Sequence, residues 1–349
     1  GTLGPWCRKG RHGRHRFHSK IRAAQAVQFK PHPQASVLLL EPENHAELKL
    51  YREHLSREFP EMRLLLAGSQ EEAHQLAPTA TALLCKAHHV KASLLAAMPR
   101  LDWIQALTTG VDAILALTLP PSVTLTSARG IHGPQMSELA LLQMMSLARD
   151  FPQMLRNQQQ AHWSRWPQRL LLGKTVVIVG IGAVGRELAR RCAVFGMRVI
   201  GVSDAVTTAE HFIEILPRTQ LTEVAKRADF LILLVPYSAD TRHLIDARIL
   251  QAMKPGSFLI NNARGPVVDE QALLVALRSG PLAGAALDVF NHEPLDPASP
   301  LWQMPNVIIT PHIGGLSDCY AEQLMPMLID NLRSYIAGHV PAHNRVPLP

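Results

Sequence analysis

The stretch from Lys174 to Arg186, K-T-V-V-I-V-G-I-G-A-V-G-R, restricts the fold more than any other part of the chain. Residues 176–179 are wholly apolar and mostly Val, which suits a strand covered on both faces in a parallel sheet. They lead directly into Gly180-x-Gly182-x-x-Gly185, after which Leu188, Ala189, Cys192 and Phe195 recur at the spacing of one helix face. In such a strand–loop–helix the first glycine permits a tight turn and the second lets main chain approach a pyrophosphate. The third lets the helix pack close to the strand, and free N–H groups at the helix start face the phosphates. This glycine spacing alone arises by chance, but with a strand before it and a helix after it the stretch points to a dinucleotide site.

An alternation of short apolar runs and amphipathic segments surrounds it. Strands are expected at residues 37–40, 62–66, 81–85, 103–107 and 123–126, with helical spacing over 46–59, 71–76 and 94–98. That order implies an α/β domain with a parallel sheet. Thr108-Thr109-Gly110-Val111-Asp112 follows a strand, on the edge where open α/β sheets bind ligands. On these residues alone a turn that needs Gly110 and a ligand loop stand level. Residues 135–149 read as a long amphipathic helix bridging two domains, with Met136, Leu139, Leu142 and Met145 in register. A Gln/Arg/Trp-rich link at 157–169 precedes the glycine loop. Five more strands, at 198–202, 230–235, 257–261, 283–287 and 307–309, bring the second sheet to six, the number in two βαβαβ halves. A last apolar-faced helix at 320–337 is expected to return to the first domain.

Composition narrows the functional classes. With 349 residues, 47% of them hydrophobic and 18% charged, the chain suits two globular domains. No apolar run is long enough for a membrane span. The net charge of +7 is local: residues 1–34 hold eight Lys/Arg and no acid, leaving 27 basic against 28 acidic residues in the remainder. No nucleic-acid partner is therefore expected of the globular part. The basic segment 1–34 has too few apolar groups to fold alone and reads as a disordered tail, with organelle targeting as the alternative. The four cysteines, Cys7, Cys85, Cys192 and Cys319, lack any ligand-like spacing, which indicates a reducing compartment such as the cytoplasm. Seventeen histidines invite a metal reading, but HExxH is missing. His88 and His89, being adjacent, would not share a face of a helix or strand, so no metal centre is expected.

Three strand ends in the second half carry unusually polar strings: N-N-A-R-G at 261–265, L-D-V-F-N-H-E-P at 287–294 and T-P-H-I-G-G at 310–315. Together with the glycine loop, they make the chain resemble the D-isomer-specific 2-hydroxyacid dehydrogenases, the glyoxylate/hydroxypyruvate reductase and phosphoglycerate dehydrogenase group. The likeness runs from about Val37 to the C-terminus. It implies a Rossmann dinucleotide-binding domain inserted in a flavodoxin-like substrate domain that the C-terminal helix completes. The divisions fall at 35–132, 133–311 and 312–349. The 37 residues after His312 would leave no room for the regulatory domain of long phosphoglycerate dehydrogenases.

The resemblance also implies a catalytic Arg264–Glu293–His312 set. Arg264 would hold the carboxylate and carbonyl of a 2-oxo acid, a task suited to a planar, always-charged fork. His312 would exchange a proton with the carbonyl oxygen, and Glu293 would orient the ring and favour its protonated form. Main-chain N–H groups around Thr109 and Gly110 would grip the substrate carboxylate. On the dinucleotide side, Gly180, Gly182 and Gly185 would form the cofactor loop with Ala183 and Val184 facing the pyrophosphate, and Ser203 or Asp204 the adenosine ribose. Val235, Pro236 and Thr241 would lie along the adenosine side, while Ala263, Asp288 and Gly314 would sit by the nicotinamide. Taken singly, the ordinary roles would usually win: Arg264 as a surface ion-pair partner, Glu293 as a capping acid, His312 as a loop histidine and Asp288 as turn chemistry.

One position departs from the family pattern. NAD-preferring members carry an acid where Ser203 stands, and Asp204 comes one residue later, a slip that turns a strand side chain to the other face. Asp204 would nonetheless repel a 2′-phosphate, so NAD is the expected cofactor, with NADP the alternative. A small 2-oxo or 2-hydroxy acid is the expected partner, and the family usually forms homodimers. A second reading, an NAD(H)-sensing binding protein like the corepressors built on this fold, is weakened by the intact Arg264–Glu293–His312 set. Formate oxidation is weakened too, because formate dehydrogenases typically hold the histidine with Gln instead of Glu.

Overall fold

In the computed structural model, which describes residues 35–348, the strands sort into two sheets. The basic segment 1–34 lies outside the described residues. The first sheet contains β1 (Ser36–Leu40), β2 (Arg63–Ala67), β3 (Ala82–Cys85), β4 (Trp103–Ala106) and β5 (Thr124–Thr126). All five run parallel in the spatial order β2-β1-β3-β4-β5, which is the flavodoxin-like order. Every residue of β1, β3 and β4 is buried, as parallel strands covered by helices require.

The second sheet contains β6 (Thr175–Val179), β7 (Arg198–Val202), β8 (Glu214–Leu216), β9 (Phe230–Leu233), β10 (Ser257–Asn261), β11 (Leu282–Leu287) and β12 (Val307–Ile309). It is parallel throughout, in the order β12-β11-β10-β9-β6-β7-β8. The order reverses between β6 and β9, so the glycine loop leaves β6 at the switch point where dinucleotides bind in doubly wound sheets. The sheet has seven strands instead of the expected six. The extra one, β8, is Glu-Ile-Leu with every residue half-buried, too short and too mixed to stand out by periodicity. A further two-residue strand, β13 (Arg345–Val346), pairs antiparallel with β5 and was likewise unforeseen.

Helix Tyr320–Ile336 brings the chain back to the first sheet. Its Leu324, Leu328 and Leu332 join Tyr51, Leu55 and Trp103 in one fully buried cluster. Each such leucine contributes about 2 kcal/mol by leaving water. Polar groups fix the alignment: the Asn331 side-chain N–H donates to Gln105 Oε1 (2.8 Å), which also accepts the Thr126 hydroxyl (2.8 Å). The Trp103 ring N–H in turn donates to Thr126 Oγ1 (2.9 Å). A buried network with its partners satisfied admits one register of helix against sheet, which apolar contacts alone would not select.

Helix Gly133–Arg149 links the two sheets, but its buried face is not the expected one. Ala140, Leu141, Met144, Leu147 and Ala148 are buried, whereas Leu142 and Met145 of the expected stripe are 55% and 38% exposed. The helix is apolar on more than one side, so periodicity alone could not say which side meets the core. A further helix, Phe151–Gln159, covers the start of the segment read as a link. His88 and His89 also depart from expectation. They occupy a one-turn 3-10 helix, Ala87–His89, which brings their rings together with centroids 4.0 Å apart.

Candidate active site

Arg264, Asp288 and His312 lie just beyond the C-terminal ends of β10, β11 and β12, which are neighbours in the second sheet. The His312 main chain is in the left-handed region, with φ 53°, a conformation that the surrounding structure must hold in a non-glycine residue. Asp288 does the holding. Its carboxylate is 1% exposed. Oδ1 accepts the Thr310 hydroxyl (2.6 Å) and the Ile313 N–H (3.1 Å), and Oδ2 accepts the Gly314 N–H (2.9 Å). The His312 N–H donates to the Asp288 carbonyl (2.8 Å). Asp288 therefore clamps the loop on both sides of the histidine, with one Oδ2 lone pair to spare beyond these bonds.

The His312 ring meets Glu293 through a 2.7 Å bond between Nδ1 and Oε2, and the other Glu293 oxygen accepts the Phe290 N–H at 2.9 Å. Burial pushes the Glu293 carboxyl up, but the bonds from His312 and the Phe290 N–H, with the charges of His312 and Arg264, outweigh it and hold the group below the usual carboxylate range. Glu293 thus stays ionised beside the imidazole and holds it through Nδ1. Arg264 is steadied from two directions: Nη1 donates to the Ala263 carbonyl (2.7 Å), and Nε reaches Asp112 Oδ2 (3.3 Å). Its Nη2 reaches up to Gly110. A Cβ there would stand 2.0 Å from Arg264 Nη2, and the main chain of Gly110 has no positive φ. Gly110 thus leaves the space that Arg264 Nη2 occupies. The arginine, glutamate and histidine, distant in sequence, converge with the Thr109–Gly110 loop.

The glycine loop meets the requirements for a dinucleotide one residue at a time. Gly180 has φ 105°, and a Cβ would strike the Leu234 main chain at 2.8 Å; on Gly185 it would strike the Gly180 carbonyl at 2.3 Å. Gly182, by contrast, faces open space. It precedes helix Ala183–Val194, whose N-terminus has no side-chain cap. The loop thus leaves uncapped N–H groups of Ala183 and Val184 beside room for a pyrophosphate, which fits the group the motif implies. Val235 and Ala263 are nearly buried strand-end residues beside this crevice. The Thr241 hydroxyl is already committed to the Pro236 carbonyl (2.8 Å) and the Ser238 N–H (2.8 Å), so it shapes that loop. Ser203 Oγ likewise accepts from the Ala205 and Val206 N–H groups. Asp204 is exposed and gripped by Arg218 through both its guanidinium and its main-chain N–H. These bonds hold the Asp204 carboxyl below its ordinary range.

Comparison with known proteins gives the same picture. The NAD-binding-domain profile of the D-isomer specific 2-hydroxyacid dehydrogenases matches residues 141–314. The (S)-sulfolactate dehydrogenase of Chromohalobacter salexigens is 35% identical over 255 residues, 70% of this chain and 80% of that protein. A D-isomer specific 2-hydroxyacid dehydrogenase family protein from Aeromonas salmonicida superposes with a TM-score of 0.83 at 34% identity, covering 90% of this chain and all of that one. The NADPH-dependent glyoxylate/hydroxypyruvate reductase of Sinorhizobium meliloti, solved with NADP and sulfate, gives 0.77 at 28% identity over 89% and 98% of the two chains. The chain belongs to the D-isomer specific 2-hydroxyacid dehydrogenase family. It is an oxidoreductase with an NAD(P)-binding domain.

In this dehydrogenase two side chains beside the Thr109–Gly110 loop gave no sequence signal. Tyr320, at the start of the return helix, donates its hydroxyl to the Leu107 carbonyl (2.6 Å), so its oxygen accepts from His132 Nε2 (3.1 Å). Burial holds His132 neutral, its pKa lowered to about 4. With the proton on Nε2, Nδ1 accepts the Thr109 hydroxyl at 2.7 Å. The three groups, separated by up to 211 residues, fix the Thr109 side chain and the end of the bridging helix together. Asp112 and Arg218 were also missed as partners of Arg264 and Asp204. A charge in a loop discloses its partner only when the fold supplies one.

Proposed function

We propose that this dehydrogenase reduces a small 2-oxo acid, of the glyoxylate or hydroxypyruvate kind, to the D-2-hydroxy acid, with NAD(H) as the preferred dinucleotide. The observation that carries the reading is the 2.7 Å bond between His312 and an ionised Glu293 in a crevice that also holds Arg264. The nicotinamide, when bound, supplies the hydride to the carbonyl carbon. Arg264 binds the carboxylate and carbonyl oxygens of the substrate, assisted by N–H groups of Thr109 and Gly110. His312, with Nδ1 fixed on Glu293, offers the proton on Nε2 to the carbonyl oxygen and regains one from solvent after product release. Glu293 remains charged and fixes the orientation of the His312 ring. Asp288 holds the His312 loop, and its carboxylate would accept from the nicotinamide carboxamide when the cofactor binds.

The relatives' names support this substrate class, as one acts on sulfolactate and another reduces glyoxylate and hydroxypyruvate. The cofactor preference rests on Asp204. Paired with Arg218, it leaves that edge with no net charge, and a 2′-phosphate would have to displace Asp204 from the guanidinium. The proposed divisions at 132/133 and 311/312 place His132 and His312 at the two crossings between domains, where closure over the substrate would exclude water. The exposed Leu142, Met145, Phe151 and Leu155 on consecutive helices suit a homodimer contact. Cys85 and Cys192 are buried free thiols, which suits a reducing compartment such as the cytoplasm.

The test is a reductase screen of 2-oxo acids with NADH and NADPH on the native protein, His312→Ala and Arg264→Ala. Each variant is expected to lose at least ~100-fold in turnover while still binding NADH. Full activity in either would end the assignment, and tight NADH binding without turnover of any 2-oxo acid by the native protein would favour a sensor.

A further inference from the structure

A cluster outside the catalytic crevice joins the loop after β1 to the turn after β3. His88 Nε2 lies 3.3 Å and His89 Nε2 3.4 Å from the same oxygen, Glu43 Oε1. All three atoms fall within 4.8 Å of one another. An ion bound at ~2.0–2.1 Å by tetrahedral nitrogen and oxygen ligands has ligand-to-ligand edges of about 3.3–3.4 Å. Both measured imidazole–carboxylate separations match that edge, and a small rotation of the exposed His88 ring closes the third.

The surroundings are built to hold these ligands. Glu41 is fully buried, and its Oε1 accepts the N–H groups of Glu43 (3.0 Å) and Asn44 (3.1 Å), which fixes the loop carrying Glu43. On the other side, Gln70 donates to the His89 carbonyl (2.8 Å), and the Ala87 N–H donates to Thr108 Oγ1 (3.3 Å). His89 Nε2 is shielded from solvent yet has no well-aligned hydrogen-bond partner. Such an orphaned buried nitrogen is costly unless something binds it. The charge is also unbalanced. The Lys86 ammonium lies 2.9 Å from Glu41, 3.6 Å from Glu43 and 3.5 Å from Glu47. Three carboxylates facing one ammonium leave a formal excess of two negative charges, which a divalent cation cancels.

We propose that Glu43, His88 and His89 bind a divalent transition-metal ion of the zinc class in tetrahedral geometry, with the fourth position open to water. Imidazole and carboxylate donors without thiolate suit Zn²⁺, Co²⁺ or Ni²⁺ better than Mg²⁺ or Ca²⁺. The ion ties residues 41–44 to residues 87–89, and through the Ala87–Thr108 bond it stiffens the strand end that leads into Thr109 and Gly110. It takes no part in the hydride or proton transfer, so the proposal stands apart from the catalytic reading.

Cobalt titration of the metal-free full-length protein tests it, because tetrahedral Co²⁺ absorbs visible light far more strongly than octahedral Co²⁺. The native protein is expected to show one equivalent of intense absorption that Zn²⁺ displaces. Other histidines of the chain contribute equally to every variant, so the difference isolates this site. His89→Ala and Glu43→Gln should each weaken that equivalent by about 100-fold, while His54→Ala, outside the cluster, leaves it unchanged. Zinc should raise the Tm of the native protein and of His54→Ala but not of the two ligand variants, whose Tm in chelator stays that of the native protein. Weak octahedral absorption only, or the same absorption and zinc-dependent Tm in all four proteins, would overturn the proposal.

Discussion

Replacing Gly110 with alanine separates fold from function at a single atom. The added Cβ would stand 2.0 Å from Arg264 Nη2, whereas an ordinary carbon–nitrogen contact is about 3.4 Å or more, so the guanidinium must retreat by about 1.4 Å. The retreat is cheap for the fold. Gly110 does not need a left-handed main chain, and the displaced group is the end of a flexible side chain that is 32% exposed. The Tm should therefore stay within about 2 °C of the native value. The retreat is expensive for the reaction. It pulls Nη1 and Nε away from Ala263 and Asp112, the two bonds that fix the fork. A misplacement of about 1 Å in a substrate-orienting group costs on the order of 100-fold, or about 2.7 kcal/mol of transition-state stabilisation. The assay is steady-state reduction of hydroxypyruvate and glyoxylate at saturating NADH, with NADH affinity measured separately by fluorescence. Gly110→Ala should lower kcat/KM by about 100-fold with NADH affinity unchanged. A kcat/KM within threefold of the native value would refute a substrate role for Arg264 at this position. A large fall in Tm would show that the methyl group strained the loop and not the guanidinium.

Other substitutions probe the remaining parts of the site. Glu293→Gln keeps a hydrogen-bonding group beside His312 but removes the carboxylate charge 2.7 Å from its Nδ1, so the pH profile of the reductase should shift; an unchanged profile would dissociate the pair. The lowered Glu293 carboxyl also means that its stabilising contribution is present above the ordinary carboxylate pKa and fades as pH falls through the depressed value. The native protein should therefore lose more stability than Glu293→Gln on acidification, as urea melts would read. Gly182→Ala meets nothing within 4 Å in the protein, so Tm should hold while NADH affinity drops roughly tenfold or more as the methyl occupies pyrophosphate space. Asp204→Ala frees the Arg218 guanidinium, and the NADPH-to-NADH preference should rise roughly tenfold, the worth of one hydrogen bond to a charged group; no change would remove Asp204 and Arg218 from cofactor discrimination.

Residues whose job is set by near neighbours in sequence were legible, and those whose partners arrive from elsewhere were not. The glycine loop could be read because strand, turn and helix follow one another within twenty residues, 175–194, and Gly180 and Gly185 each answer a local steric demand. The ends of β10, β11 and β12 could be read because their polar strings interrupt apolar runs at ligand-binding edges. Strand β8 and the buried side of helix Gly133–Arg149 escaped for opposite reasons, one having too little apolar character and the other too much. The Tyr320–His132–Thr109 chain, the Asp204–Arg218 pair and the meeting of His88 and His89 with Glu43 depend on the packing of separate elements, and no periodicity encodes them. Gly110 shows where the boundary lies. Its position after a strand suggested a ligand loop, but a turn would have demanded glycine equally well. The guanidinium lying where its Cβ would be sets this glycine apart from one chosen for its φ. The same distinction separates Gly180, whose Cβ would strike main chain, from Gly182, beside which the protein is open.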